Sequence, residues 1–295
     1  MMFLPWPDGC PRSPGVARCL TLALAIAGAC ALPVAAGSAE RTAFKVCADA
    51  NYLPWSNDRQ EGFENHIASL LAEQLNLPVE YTWFPQRMGF IRNTLRARGD
   101  DGVYRCDVVM GLPDGFELAI TTDPYYRSTY ALVFVEGRGL DSVRSVSDLQ
   151  KLDASQRNSL RFGLAERNPG TLWLAEHAML SRLTKAYASQ HGDPDVRPGQ
   201  LEQEDLLAGN IDLTFMWGPI AGHFVRSNPD VPIRVIPVES QAGLQMHFGI
   251  SIGVRFGEQD WKAQLQALLD ANADAIEAIL REHAVPLVDA EGRLL

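Results

Sequence analysis

The sequence has no run of basic residues, no internal repeat and no low-complexity tract. Its formal net charge is −10, and nucleic acids and anionic membranes are poor partners for a chain without clustered Lys and Arg. The lack of repeats removes solenoids. There is no phosphate-binding glycine loop, dinucleotide fingerprint, zincin motif or nucleophile elbow. The six histidines, His66, His177, His191, His223, His247 and His283, are scattered, and none forms a pair at metal-ligand spacing. Cysteine is scarce: of five, Cys10, Cys19 and Cys30 lie near the N-terminus, leaving Cys47 and Cys106. Neither of those two has a second Cys or a His close by in sequence, which argues against zinc. No metal and no cofactor is expected.

Residues 1–39 read as a secretory signal. Arg12 and Arg18 supply the positive region, Cys19 to Ala31 the apolar one, and Val34-Ala35-Ala36 or Gly37-Ser38-Ala39 the small residues for cleavage. A retained membrane anchor is the plainer alternative, and Pro33 with the small residues argues against it. A lipoprotein leader cut before Cys30 would place Ala27 where a larger aliphatic is usual. Without the leader the expected location is the periplasm, with no membrane segment. In that oxidising compartment Cys47 and Cys106 are a candidate disulfide, against the alternative of two buried thiols.

Beyond the leader, strand and helix patterns alternate. Phe44 to Ala48 reads as a strand, Glu64 to Asn76 as a helix, and Val79 to Phe84 as a strand. A helix over 89–98 and a strand from Cys106 to Met110 follow, a βαβαβ order that implies parallel pairing. A strand from Thr129 to Val135 leads to a polar segment, 136–160. The alternation then resumes: strand Arg161 to Ala165, helix Thr171 to Tyr187, helix Leu201 to Ala208, strand Asp212 to Trp217, helix Pro219 to Ser227 and strand Ile233 to Val238. The chain returns through His247 to Arg255 and ends in one long amphipathic helix, Glu258 to Glu282. The expected organisation is a discontinuous first lobe, 40–135 with 241–295, and a second lobe, 136–240. Two α/β lobes joined by two crossings imply an interlobe cleft, a favoured place for ligands.

The loop after the first strand, Asn51-Tyr-Leu-Pro-Trp55, should face that cleft, because ligands sit beyond the carboxyl ends of strands in open α/β sheets. The expected aromatic lining is Tyr52, Trp55, Phe63, Trp83, Tyr125, Tyr126 and Trp217, each of which could equally serve as plain core. Arg87 lies just past the second strand and is the best cationic candidate. Glu166 follows a strand of the second lobe. Thr171 opens a helix whose backbone N–H groups could meet a ligand, although capping is its simplest task. Glu64 opens the first helix, where the dipole favours a carboxylate anyway. His247 lies on the returning crossing, where a merely solvated histidine is the plainer reading.

Several stretches carry a resemblance: Val46-Cys-Ala-Asp, Asn51-Tyr-Leu-Pro-Trp-Ser-Asn57, Gly62-Phe-Glu-Asn65 and Pro85-Gln-Arg-Met-Gly-Phe-Ile-Arg-Asn-Thr-Leu95. Cys106-Asp-Val-Val-Met-Gly111, Thr122-Asp-Pro-Tyr-Tyr-Arg-Ser-Thr-Tyr130 and Trp217-Gly-Pro219 add to it. The two-lobe order resembles the type II periplasmic solute-binding proteins of the amino-acid-binding kind. Within them the chain is similar to the MxaJ/XoxJ group, accessory proteins of quinoprotein (PQQ-dependent) alcohol and methanol dehydrogenases. The resemblance implies a non-catalytic periplasmic protein whose partner is such a dehydrogenase, with a c-type cytochrome as an optional further member. It departs from the amino-acid binders at two places. Their carboxylate-clamping Arg, eight residues before the Asp-Pro-Tyr, is Gly115 here, and their ammonium-binding Asp is Trp217. A bidentate Arg clamp is hard to replace, so an α-amino acid is not the expected ligand. Two other functions stay open: a receptor for a small organic solute delivered to an ABC importer, and a dehydratase-like enzyme using Glu64, Glu166 or His247 as acid.

Overall fold

A computed structural model describes residues 41–188, 193–241 and 243–295. The signal reading, with Cys10, Cys19 and Cys30, and His191 lie outside the described residues. Among the described residues no helix is long and apolar enough to cross a membrane.

The first lobe opens with β1 (Phe44–Ala48), a small hairpin of β2 (Asn51–Tyr52) and β3 (Ser56–Asn57), then α1 (Phe63–Gln74) and β4 (Val79–Trp83). It continues with α2 (Phe90–Asn93), β5 (Val108–Pro113) and β6 (Ile120–Thr121). β1 lies between β4 and β5 and is parallel to both, with Phe44 opposite Val79 and Val46 opposite Val108. It is apolar on both faces because both are covered. Val46 packs with Ile67, Ala68 and Leu71 of α1, whereas Cys47 turns to the opposite face with Phe90, Ile91 and Leu95.

The chain then enters β7 (Tyr126–Val135), a ten-residue strand. The second lobe holds α3 (Asp148–Lys151), α4 (Ala154–Ser159), β8 (Phe162–Ala165), α5 (Gly170–Glu176), β9 (Leu183–Tyr187) and α6 (Gln200–Ala208). β10 (Leu213–Trp217), α7 (Gly218–Ser227) and β11 (Ile233–Pro237) complete it. β12 (His247–Val254) leads back to α8 (Gln259–Ala271) and α9 (Ala273–Glu282), which bury Trp261, Leu265, Leu269, Ile276 and Leu280 on the first lobe's sheet. Each such side chain contributes about 1.5–3 kcal/mol when fully buried.

Two strands make the crossings, as the two-lobe α/β reading expects. The first half of β7 pairs antiparallel with β12, from Thr129 opposite His247 to Tyr126 opposite Ile250. Its second half pairs with β10 and β11, Ala131 facing both Met216 and Pro237. The change of partners falls at Tyr130, inside a continuous strand, whereas composition shifts only at 136, where that strand ends. Composition marks loops, and this crossing contains none.

Three elements differ from the sequence reading. The helix expected over 171–187 stops at Glu176, and Leu183–Tyr187 is instead the edge strand β9, parallel to β8. Ala178, with φ 55°, turns the chain out of the helix. The helix expected over 258–282 is two, parted at Asn272, whose φ/ψ of −117/17 ends α8 and whose amide side chain caps the carbonyl of Leu268. The helix expected over 89–98 keeps one turn, and Thr94 donates its hydroxyl back to the Phe90 carbonyl at 2.7 Å.

Cys47 and Cys106 form a disulfide with Cα atoms 5.4 Å apart. It joins β1 to the residue leading into β5, the strand beside it. Next to it Arg255, from the returning crossing, donates to the carbonyl of Cys106 and to Asp107 Oδ1 at 2.6 Å. The bridge closes a loop of 59 residues, so replacing both cysteines by Ala should cost about 4 kcal/mol in the chain-entropy account. Urea unfolding of the double variant should show a clear fall in midpoint with native far-UV circular dichroism at low urea; an unchanged midpoint would refute the stabilising role.

Candidate functional site

The loop from 49 to 57 is built before any ligand is considered. Asp49 accepts from the backbone N–H of Asn51 at 2.9 Å and of Gln86 at 2.6 Å, so one carboxylate ties the end of β1 to the loop after β4. Asn65 Oδ1 accepts from the N–H of Asn57 and Gly62, each at 3.1 Å. The opening N–H groups of α1 have no side-chain cap; Phe63 and Glu64 donate instead to the carbonyls of Pro54 and Trp55, each at 3.0 Å. This requires backbone contact that only glycine allows, since a Cβ on Gly62 would lie 2.1 Å from the Trp55 oxygen. The loop is therefore a rigid extension of α1, and it holds Tyr52 against Trp55 with ring centroids 4.9 Å apart.

A cavity of about 520 Å³ lies between this loop and the second lobe. Asn51, Tyr52, Trp55 and Arg87 line it from the first lobe, Glu166 and Trp217 from the second. Asn51 also spans the gap, its Nδ2 donating to the carbonyls of Pro194 at 3.1 Å and Asp195 at 3.0 Å. The floor is made by the crossings. Tyr130 on β7 and Phe248 on β12 pack around Trp217, with centroids 5.3 and 6.0 Å from its ring. Phe248 and Ile250 both reach the cavity because alternate residues of a strand share a face.

The other expected site residues do not line it. Phe63 is core, edge-on to Tyr126 at 5.8 Å. Trp83 stacks on Tyr81 at 4.5 Å within β4. Thr171 sits in the first turn of α5, its N–H bonded to the Asn168 carbonyl. His247 lies on the crossing, its Nδ1 2.7 Å from Ser240 Oγ. Glu64, Tyr125 and Tyr126 form a second layer behind the wall. Of the three residues proposed from sequence as an acid, only Glu166 meets the cavity, and it is exposed.

Sequence reading missed Tyr130, Phe248, Tyr187, Arg197 and Glu202, all of which line the cavity. The first two were legible in principle: they lie on the crossings, and period two would have turned them to one face. Tyr187 was hidden by the helix assignment over its strand. Among the described residues no group of three or more His, Cys, Asp or Glu is arranged to hold a metal ion. Two histidines far apart in sequence do meet, His283 Nε2 lying 3.2 Å from His66 Nδ1.

Glu64 is the electrostatic anomaly. Burial raises its pKa from 4.5 to about 8, against a lowering hydrogen bond from the Tyr125 hydroxyl at 3.1 Å. The carboxyl is thus largely protonated at neutral pH. Gly111, with φ 73°, leaves it room: a Cβ there would lie 2.6 Å from Oε1. Burial, followed by the charge of Glu64, also raises the pKa of Tyr52 and Tyr125.

The chain is 30% identical to the periplasmic binding protein XoxJ from Methylobacterium extorquens AM1, and its fold matches that crystal structure with a TM-score of 0.64 over 83% of this chain and 99% of that one. The crystal structure of MxaJ from Methlophaga aminisulfidivorans MPT is 26% identical, with a TM-score of 0.67 over 83% of this chain and all of that one. Protein MoxJ from Paracoccus denitrificans is 26% identical over 275 residues, 89% of this chain and 95% of MoxJ. No protein-family model matches the chain.

The raised pKa of Glu64 fixes a pH dependence. Between 4.5 and about 8 the folded state binds more protons here than the unfolded state, so this stabilising contribution is complete below 4.5 and is lost as pH rises through about 8. Glu64→Gln, which cannot ionise, should gain stability relative to the parent by more than about 1 kcal/mol between about pH 5 and about pH 9. Urea midpoints at the two pH values measure this, and parallel curves for the two proteins would contradict it.

Proposed function

We propose that this chain, which belongs to the MxaJ/XoxJ-type family of periplasmic binding proteins, is a non-catalytic periplasmic accessory factor for a quinoprotein (PQQ-dependent) alcohol or methanol dehydrogenase. Its role is to assist maturation or activation of that enzyme, with side chains of the enzyme held in or against the cleft. One observation carries this reading: the cleft has aromatic side chains from both lobes and both crossings, and lacks both charged clamps of an amino-acid receptor. Trp217, at the position of the expected ammonium-binding Asp, lines the cavity. Gly115, at the position of the expected Arg, is exposed and has φ 70°, a conformation that an Arg would adopt only with strain. Large rings on a concave wall suit apolar or amphipathic groups, and aromatic anchors in pockets dominate the energetics of protein interfaces.

The importer-receptor reading is supported by the size of the cavity, about 520 Å³, within the range of small-molecule sites. It predicts a metabolite that raises the melting temperature by linkage. The two readings separate in one experiment. The tagged protein, expressed in the periplasm of a methanol-grown methylotroph, should retain the quinoprotein dehydrogenase, and Tyr52→Ala with Trp217→Ala should weaken that complex at least about tenfold. Absence of any complex, together with a tightly bound small molecule, would replace the accessory reading with the receptor.

A further inference from the structure

The charges around the cleft are not balanced. Among the described residues Asp49, Glu166, Asp193 and Glu202 line it on the acidic side, Arg87 and Arg197 on the basic side. Both oxygens of Asp49 are committed to backbone N–H groups. Asp205, three residues beyond Glu202 on α6, is neutralised by Lys185 and bonded by Tyr187 at 2.6 Å and Asn210 at 2.9 Å. Glu202 differs. It forms no salt bridge with any described residue. Burial, and then the neighbouring Asp205 charge, work against its ionisation, so a counter-charge arriving in the cavity would be favoured there.

The same cavity is lined by aromatic rings. Trp55 and the Tyr130–Trp217 pair line the same cavity as Glu202. Aromatic faces carry negative quadrupole potential, and a cavity that holds both such rings and a carboxylate favours a cation with an apolar body over either a neutral or an anionic ligand. We propose that the cleft recognises an organic cation, an alkylammonium or guanidinium group on an apolar stem, with Glu202 meeting the charge and Trp55, Tyr130 and Trp217 meeting the stem. This rests on the reading of the cleft as the binding surface. The cation has two sources, a free small molecule or a Lys or Arg side chain of the partner enzyme.

The test uses the mature chain and two probes of the same shape. Choline carries a trimethylammonium group; its carbon isostere has an uncharged tert-butyl group instead. Calorimetric titration should show choline binding at least about tenfold tighter than the isostere, and Glu202→Gln, folded as judged by native far-UV circular dichroism, should remove about tenfold of that affinity. If neither probe binds but the dehydrogenase binds the parent about tenfold tighter than Glu202→Gln, the cation is a partner side chain. Equal binding of choline and isostere overturns the inference, as does silence of both probes with a dehydrogenase complex unaffected by Glu202→Gln. In those cases a complex that still forms leaves the accessory reading standing. Charge-selective choline binding without any complex does the reverse.

Discussion

One strand belongs to both halves of the molecule. β7 spends its first residues in the sheet of the first lobe and its last in the sheet of the second, with no break between. Such a strand must be covered on both faces along its second half, and its sequence meets that demand. Leu132 and Phe134 enter one core cluster, Ala131 and Val133 the cluster on the other side. The close packing of α7 depends on the same strand. A Cβ on Gly218 would lie 2.6 Å from the Thr129 carbonyl oxygen, and one on Gly222 would lie 2.0 Å from that of Ala284. Glycines one turn apart let α7 of the second lobe rest on the crossing and on the segment after α9. The lobes are thus joined by backbone pairing and helix contact, not by a loose tether.

The cleft inherits its chemistry from this joint. The cavity floor comes from the short stretch where the two crossings lie side by side, and alternation along β12 puts Phe248 and Ile250 on one face there. Tyr130, Phe248 and Ile250 supply the floor for that reason. The wall from the first lobe has a different origin. Its rings sit on a loop whose carbonyls complete the first turn of α1, so the aromatic surface is fixed by helix capping. Behind it, the half-buried Tyr125 donates to the buried, protonated Glu64. A neutral carboxyl there avoids the desolvation cost that an ion would carry.

Much of the fold was legible because its signals are local. The strands of the first lobe are near-continuous apolar runs, and α1 places Ile67 and Leu71 one turn apart on the buried face. The disulfide followed from two cysteines and a compartment. What was hidden depends on tertiary context. β9 carries Lys185 and Tyr187 in a segment whose composition suits a helix, and its strand conformation comes from pairing with β8. The cleft was half legible for the same reason. Tyr52, Trp55, Arg87, Glu166 and Trp217 stand at the carboxyl ends of strands or in the loops beyond, where a simple rule looks for them. Glu202 stands on a helix that enters the wall from the side, and no local pattern separates it from Asp205 three residues on.

That pair of acids shows why the site reads as it does. Both lie on α6, and only their neighbours differ. Asp205 faces Lys185 and two further donors, so its charge is spent inside the lobe. Glu202 faces a cavity walled by aromatic rings. In the amino-acid receptors that this fold resembles, an Arg and an Asp divide a zwitterion between them. Counted along the sequence, Gly115 and Trp217 stand where those two clamps are expected, and neither carries a charge. The acid and the aromatic rings that share this cavity suit a group with positive charge and apolar surface together. A lysine or arginine side chain on a protein surface fits that description as well as a small amine does. The proposed organic cation and the proposed protein partner therefore call on the same chemistry of the cleft.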